Sequence, residues 1–342
     1  MPRSEEEGVN LLPRSSGVSI IACGKYIPQH LMTNESLSKE CNVNAGWIEQ
    51  RTGIRTRYYL GSKESASIMA SLATQRALEQ AQIKADEIGL IICCSCSGDY
   101  RFPPLACKVQ QIIQANRAGA FDLSAGSAGF VIAMMLGADR LKSEPTLKNI
   151  LIVTCAAQSP FLDRSNPQTA VLFGDGAASV ILSFVPQDYG IQETEIFSNG
   201  EAFDAVRLRG GGSSFPLDKE NIGSSLQYIE MDGIAMGKQY MKYQPFMIER
   251  VLKKARLSMK DIDLFLFHPP NFRTVKFLVS KLNLSMAKTF TNVETYGNTS
   301  DASVALALCD AVEKGLIKRG HRILLSGVGP GVVFAASILR WY

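Results

Sequence analysis

Acyl or phosphoryl transfer through a side chain needs a nucleophile, a base beside it, and donors for the charge that develops. The chain has few candidates for the base, because it holds only three histidines. His30 lies in the turn-like run Ile27-Pro-Gln-His-Leu-Met-Thr-Asn34, and His321 follows Gly320 at the start of an apolar run. Both read as surface residues. His268 differs: it follows Leu264-Phe-Leu-Phe267 and precedes Pro269-Pro-Asn271, which places it at the C-terminal end of a strand, where α/β sheets carry their sites. Standing alone, it reads more simply as a satisfied histidine at a strand end. Ser127 lies in Ser124-Ala-Gly-Ser-Ala-Gly129, whose small residues permit a sharp strand-to-helix turn and close backbone approach to a substrate. A tight helix start explains the same run, and Ala125 separates it from the G-x-S-x-G elbow of esterases. Asn298, in Tyr296-Gly-Asn-Thr-Ser300, reads alone as a helix cap.

The elements that must position these residues form a repeat. Ala77 to Leu90 and Val251 to Leu264, 174 positions apart, both run from the end of an amphipathic helix through a polar turn into a short apolar strand. The stretches beginning near Phe121 and Thr295 each place small residues before a long apolar helix. Buried strands follow, Asn149-Ile-Leu-Ile-Val-Thr-Cys155 and His321-Arg-Ile-Leu-Leu-Ser-Gly327. Each half then closes with a glycine-rich turn and another apolar strand: Gly174-Asp-Gly176 in the first, Gly327-Val-Gly-Pro-Gly331 in the second. These glycines lack phosphate-loop spacing and read as tight turns. The pattern predicts a duplicated α/β unit with mostly parallel sheets, divided into a tail at 1–16, a half at 17–186 and a half at 187–342. The sparsely charged helices starting near Ala125 and Thr299 are expected between the sheets. In a pseudo-twofold pair their N-termini meet, and N–H groups there favour negative charge. The repeat therefore brings a hydroxyl, an imidazole and an amide toward one point.

Composition sets the class. The 342 residues are 46% hydrophobic and 20% charged, a globular balance. No run reaches the roughly 18 apolar residues of a membrane span, and the polar, acidic N-terminus is unlike a signal peptide. A cytoplasmic protein is expected, with no membrane association. The net charge of +4 comes from scattered Lys and Arg, which argues against nucleic acid but suits an acidic partner or a phosphate-bearing ligand. The eight cysteines show no paired spacing and read as reduced core residues. Cys93-Cys94-x-Cys96 suggests a metal only superficially, since strand neighbours point to opposite faces. No metal site is expected.

Together these segments resemble the β-ketoacyl-acyl carrier protein synthase III family of the thiolase superfamily, from Val18 to Trp341. The most specific element is Trp47-Ile-Glu-Gln-Arg-Thr-Gly-Ile-Arg-Thr-Arg57, followed in order by Phe173-Gly-Asp-Gly176, His268-x-x-Asn271-x-Arg273 and Tyr296-Gly-Asn-Thr-Ser300. The resemblance implies a thiolase fold, a five-layered α-β-α-β-α sandwich, as a homodimer with no permanently bound cofactor. Acyl-CoA or acyl-phosphopantetheine serves as substrate and acyl carrier protein as partner. It also implies a catalytic Cys, His and Asn, of which His268 and Asn298 match and Ser127 takes the cysteine's place. A serine needs an adjacent base to become nucleophilic, and its oxoester is a poorer electrophile toward carbon than a thioester. Pro330 falls where relatives place an oxyanion-hole N–H, and proline has none.

The resemblance places Trp47 and Arg51 at the adenine of coenzyme A, with Arg164 near its other side, where Pro160 replaces an arginine. Asn271 and Arg273 match pantetheine and carrier-protein contacts, Ile234 stands where relatives have Asn, and Arg101-Phe-Pro-Pro104 matches the acyl tunnel near the dimer interface. The leading expectation is an acyltransferase with a Ser127 acyl-enzyme, using His268 as general base and acid, and passing the acyl group to a carrier thiol, a malonyl-derived carbanion or a small nucleophile. The alternatives are ordinary decarboxylative condensation, which follows if Ser127 is an engineered replacement of cysteine, and a degenerate partner subunit without catalysis.

Overall fold

The computed structural model describes residues 16–342. Residues 1–15 lie outside it, and with them nearly all of the expected tail. The first half runs β1 (Gly17–Tyr26), β2 (His30–Thr33), α1 (Asn34–Cys41), α2 (Ala45–Thr52), β3 (Thr56–Tyr59), α3 (Ala66–Ala81), β4 (Ile88–Cys94), α4 (Leu105–Ile113), β5 (Gly119–Leu123), α5 (Gly129–Ser143), β6 (Asn149–Ala156) and β7 (Gly176–Val185). The second runs β8 (Gly190–Ser198), β9 (Val206–Leu208), β10 (Ile229–Met231), α6 (Gly233–Ala255), β11 (Leu264–Phe267), α7 (Phe272–Lys281), α8 (Val293–Tyr296), α9 (Ser303–Glu313), β12 (Arg322–Gly329) and β13 (Val333–Arg340).

Two large sheets carry the architecture, one ordered β1-β7-β6-β4-β5 and the other β8-β13-β12-β11. The 174-residue repeat survives in detail. Both α3 and α6 end at equivalent alanines followed by a left-handed residue, Gln82 and Arg256. Two short 3-10 turns, Gly126–Ala128 and Ser300–Ala302, lead into α5 and α9 at equivalent positions. The expectation of mostly parallel sheets is corrected: β4 pairs parallel with β5 and β6, and β11 with β12, but β7 and β13 run antiparallel to both neighbours. The link between β12 and β13 is too short for a crossover, and a short link can only form a hairpin.

Burial explains the layering. On β6, Ile150 and Ile152 face the central layer while Leu151, Val153 and Cys155 face outward against α3, so one strand is apolar on both sides. The central core joins both sheets through α5 and α9, and α6 with α7 covers the far face of the second sheet. The order is therefore α3/α4, sheet, α5/α9, sheet, α6/α7. Cys93 and Cys94 point to opposite sides as expected. Among the described residues no group of His, Cys, Asp or Glu could hold a metal ion, and no helix is long and apolar enough to cross a membrane.

Each 3-10 turn packs on the central strand of the other half: Gly126–Ala128 on β12, and Ser300–Ala302 on β6. Glycine permits the first of these contacts. A Cβ on Gly327 would lie 2.2 Å from the Ser127 carbonyl oxygen, and one on Gly329 would lie 2.0 Å from that of Ala125. Both glycines belong to β12, so their role is close approach, where a tight turn was expected. Gly327→Ala should destabilise the fold by at least the roughly 1–3 kcal/mol typical of overpacking, read as a lowered urea midpoint. Gly200→Ala, whose Cβ would meet nothing within 4 Å, should leave the midpoint unchanged.

Candidate active site

Ser127 is the middle residue of its 3-10 turn and is 3% exposed. Gly126, in the left-handed region at φ +52°, makes the sharp bend before it. His268 follows β11, and its N–H donates to the Ser326 carbonyl oxygen at 2.8 Å. Ser326 and Gly327 are consecutive on β12, so one strand holds the His268 backbone with one residue and rests on the Ser127 turn with the next. The His268 ring is fixed through Nδ1, 2.7 Å from the Ser303 hydroxyl at the first position of α9. Ring burial depresses its pKa from 6.5 to about 3. The imidazole is therefore neutral at physiological pH.

Asn298 is held beside the turn that leads into α9. Its N–H donates to the Leu172 carbonyl at 2.8 Å, its own carbonyl accepts from the Gly174 N–H at 3.1 Å, and its Oδ1 accepts from the Ser300 N–H at 2.9 Å. With Oδ1 held there, the amide presents Nδ2 as its donor. Its support comes from two motifs. In Phe173-Gly-Asp-Gly176, the buried Asp175 carboxylate accepts from the N–H groups of Leu60, Gln158 and Ser159 and from the Ser159 hydroxyl. Arg57, wholly buried, donates to Asn34 Oδ1 and the Val171 carbonyl, each at 2.7 Å, and burial lowers its pKa to about 10. Arg57 Cβ also lies against Gly174 and Gly297. The expected N-terminal meeting is present, since the turns holding Ser127 and Ser300 pack together.

A cavity of about 900 Å³ is lined by Trp47, Arg51, Asn271 and Ile234 among others. Trp47 and Arg51 lie one turn apart on α2, and Gly53 ends that helix at φ +72°, where a Cβ would collide with Phe272 at 2.6 Å. This close approach sets the two walls of the cavity against each other. Asn271 caps α7, its Oδ1 accepting from the Thr274 N–H and hydroxyl, each at 3.0 Å. Arg273 is exposed and lies outside the lining. Arg164 also does not line the cavity: it bonds Glu40 at 3.0 Å and covers the Tyr59 ring at 4.4 Å, so the expected second adenine contact is absent from it. Pro330 packs on Gly126, 2.5 Å from where a Cβ would be, so it sits beside the Ser127 turn. Cys96, which is solvent-exposed, places its Sγ 3.6 Å from Ser124 Oγ, just before that turn.

Sequence reasoning missed Ser303 and Tyr240, whose hydroxyl donates to the His268 carbonyl at 3.1 Å. The available signal for Tyr240 was a pair of polar residues four apart, Tyr240 and Gln244, on the buried stripe of α6.

Residues 121–200 match the sequence model described as 3-oxoacyl-[acyl-carrier-protein (ACP)] synthase III, and residues 252–341 match that of its C-terminal part. The chain is similar to β-ketoacyl-[acyl-carrier-protein] synthase III of Caldanaerobacter subterraneus subsp. tengcongensis, with 34% identity over 94% of this chain and 97% of that protein. The Clostridioides difficile protein of the same description is 35% identical over 94% and 98%. Among solved structures, 3-oxoacyl-[acyl-carrier-protein] synthase III from Aquifex aeolicus superposes with TM-score 0.86 at 32% identity, covering 95% of this chain and 100% of that one. A priming β-ketosynthase of a polyketide biosynthetic pathway superposes with TM-score 0.87 at 28% identity, covering 95% and 96%. The five layers are the thiolase fold of these structures.

The buried histidine has a measurable signature. Its folded pKa lies below its unfolded value, so the unfolded chain takes a proton that the folded one refuses. That contribution to stability is complete above about pH 6.5 and is lost as pH falls toward 3, with a slope of at most about 1.4 kcal/mol per unit. The buried Asp175 and Asp301, both raised by burial, act with the opposite sign. Subtracting the unfolding free energy of His268→Gln from that of the wild type isolates the histidine. The difference should shrink between pH 6.5 and 4.5; a pH-independent difference contradicts a neutral buried His268.

Proposed function

Because the chain belongs to the 3-oxoacyl-[acyl-carrier-protein] synthase III family, we propose that it carries out that family's acyl-group chemistry at Ser127, His268 and Asn298. The donor is a pantetheine-linked thioester held in the 900 Å³ cavity, whose lining contains none of the three but includes Tyr240, bonded to the His268 carbonyl, and Pro270, two residues beyond His268. The adenine end rests at Trp47 and Arg51, the arm passes Asn271, and Arg273 with neighbouring basic residues meets an acidic carrier protein. One observation carries the reading: a neutral imidazole and the Asn298 amide are both bonded to the start of α9, His268 Nδ1 to Ser303 and Asn298 Oδ1 to the Ser300 N–H in the turn before it.

The lost basicity of His268 bears on mechanism. If Nδ1 accepts from Ser303, then Nε2–H is a donor suited to a thioester carbonyl or an enolate oxygen. That role needs no imidazolium and favours decarboxylative condensation. The Ser127 Oγ attacks the acyl thioester, the C–S bond breaks, and the hydroxyl proton passes to the departing sulfur, so the donor leaves as its thiol. A malonyl thioester then loses carbon dioxide, and its enolate carbon attacks the acyl carbonyl; the bond to Ser127 Oγ breaks, the serine oxygen takes up a proton from solvent, and a 3-oxoacyl thioester is formed. The Ser127 N–H at the helix start supports the oxyanion.

A second reading keeps the Ser127 acyl-enzyme but passes the group to a carrier thiol or a small hydroxyl or amine. The serine oxoester favours it, because it is a poorer electrophile toward carbon than a thioester. A homodimer accompanies either reading. It is supported by the free edge of β5, the exposed Phe121 beside it, and Phe102, which is 84% exposed.

Intact-protein mass spectrometry with acyl-CoA and acyl-carrier donors tests the covalent step. An acyl adduct should form and be absent from Ser127→Ala, while His268→Ala should slow turnover about 100-fold or more. Carbon dioxide release from malonyl thioester then separates condensation from transfer. An adduct that persists in Ser127→Ala, for example on Cys96, contradicts the serine assignment, and no adduct with any donor supports a degenerate subunit.

A further inference from the structure

Helix α6 touches both the cavity and the His268 backbone. Its first half supplies cavity lining, ending with Tyr240 and Met241. Tyr240 is 1% exposed and has one hydrogen bond, from its hydroxyl to the His268 carbonyl at 3.1 Å. One turn further on, the fully buried Gln244 donates through Nε2 to the Ser326 hydroxyl at 3.1 Å. That hydroxyl in turn donates to the Ala335 carbonyl at 3.1 Å, and the Ser326 carbonyl accepts the His268 N–H. The two side chains are thus four residues apart on one helix face, and they reach the two sides of the same histidine's backbone.

The next residue is Pro245, inside the helix. Proline removes the N–H that would bond the Met241 carbonyl. Lys281 Nζ of α7 takes that carbonyl instead, at 2.8 Å. The segment that carries Tyr240 and Gln244 is therefore fixed to its neighbour where the helix ladder is interrupted. Bare packing does not require these polar atoms: a buried phenol and amide are costly unless bonded, and Gln244 is bonded through Nε2 alone, its buried Oε1 having no partner. Hydrophobic residues of similar size would fill the same space.

We propose that Tyr240 and Gln244 are positioning residues for His268: the phenol fixes its carbonyl, the amide fixes the strand that holds its N–H, and through the Tyr240 ring the cavity wall and the imidazole share one support. The inference rests on the assignment of His268 to the reacting site. The Tyr240 ring lines the cavity while its hydroxyl bonds the His268 carbonyl, and Gln244 is not in the lining, so removing the hydroxyl or the amide alone acts on turnover and leaves the cavity wall in place.

The test uses Tyr240→Phe, which keeps the ring and loses the hydroxyl, and Gln244→Met, which keeps the volume and loses the amide. Acyl transfer by Tyr240→Phe should fall about tenfold in kcat with KM within twofold, while circular dichroism shows a folded protein. Gln244→Met should fall by a smaller factor. The double variant should lose less than the product of the two, because both act on one histidine. A second readout does not depend on activity. The chain has three histidines, so His268→Gln assigns the His268 imidazole nitrogen signals by NMR. Those signals should shift in Tyr240→Phe while His30 and His321 stay unchanged. Unchanged kcat, or a kcat loss with an unmoved His268 signal, overturns the proposal. If the wild type transfers no acyl group, the functional assignment fails and the NMR signals alone decide the positioning role.

Discussion

Everything at the candidate site depends on one backbone contact between the halves: the Ser127 turn lying directly on β12. Only glycine at 327 and 329 allows it, because any side chain would overlap the carbonyl oxygens of Ser127 and Ala125. The same strand, through the Ser326 carbonyl, holds His268. The reciprocal contact sets Ser300–Ala302 on β6 and, through the Ser300 N–H, aims the Asn298 amide. Neither half holds all three groups alone. The duplication packs the Ser127 turn against the Ser300 turn that follows Asn298.

Much of this was legible from residue order. The 174-residue repeat located both helix starts, and the alternation along Ile88–Cys94 separated the cysteines to opposite faces. His268 at a strand end and Asn298 before a helix were found by position, and their support by motif. Other features have no local signal. The antiparallel course of β7 and β13 depends on how the links return, which apolar runs do not encode. Gly327 and Gly329 looked like turn glycines, since nothing in the run says that another backbone lies 2 Å from an absent Cβ. Arg164 was placed by its number in the chain, but Glu40 and Tyr59 hold it away from the cavity. Tyr240 and Ser303 are noticed only when long-range partners are known.

The site is also shaped by desolvation. His268, Asp175 and Asp301 are all moved toward their neutral forms by burial, and Arg57 loses part of its hold on its proton for the same reason. A low-polarity chamber of this kind strengthens each hydrogen bond aimed into it. It also favours donors that work without charge, which is what a thioester carbonyl or an enolate needs.

The most direct test is a crystal structure with an acyl-CoA analogue in which a methylene replaces the thioester sulfur. The account predicts the adenine against Trp47 and Arg51, the arm passing Asn271, and the carbonyl oxygen within hydrogen-bond reach of His268 Nε2 and Asn298 Nδ2, with its carbon facing Ser127 Oγ. An analogue bound outside the cavity, or a carbonyl turned away from all three residues, contradicts it.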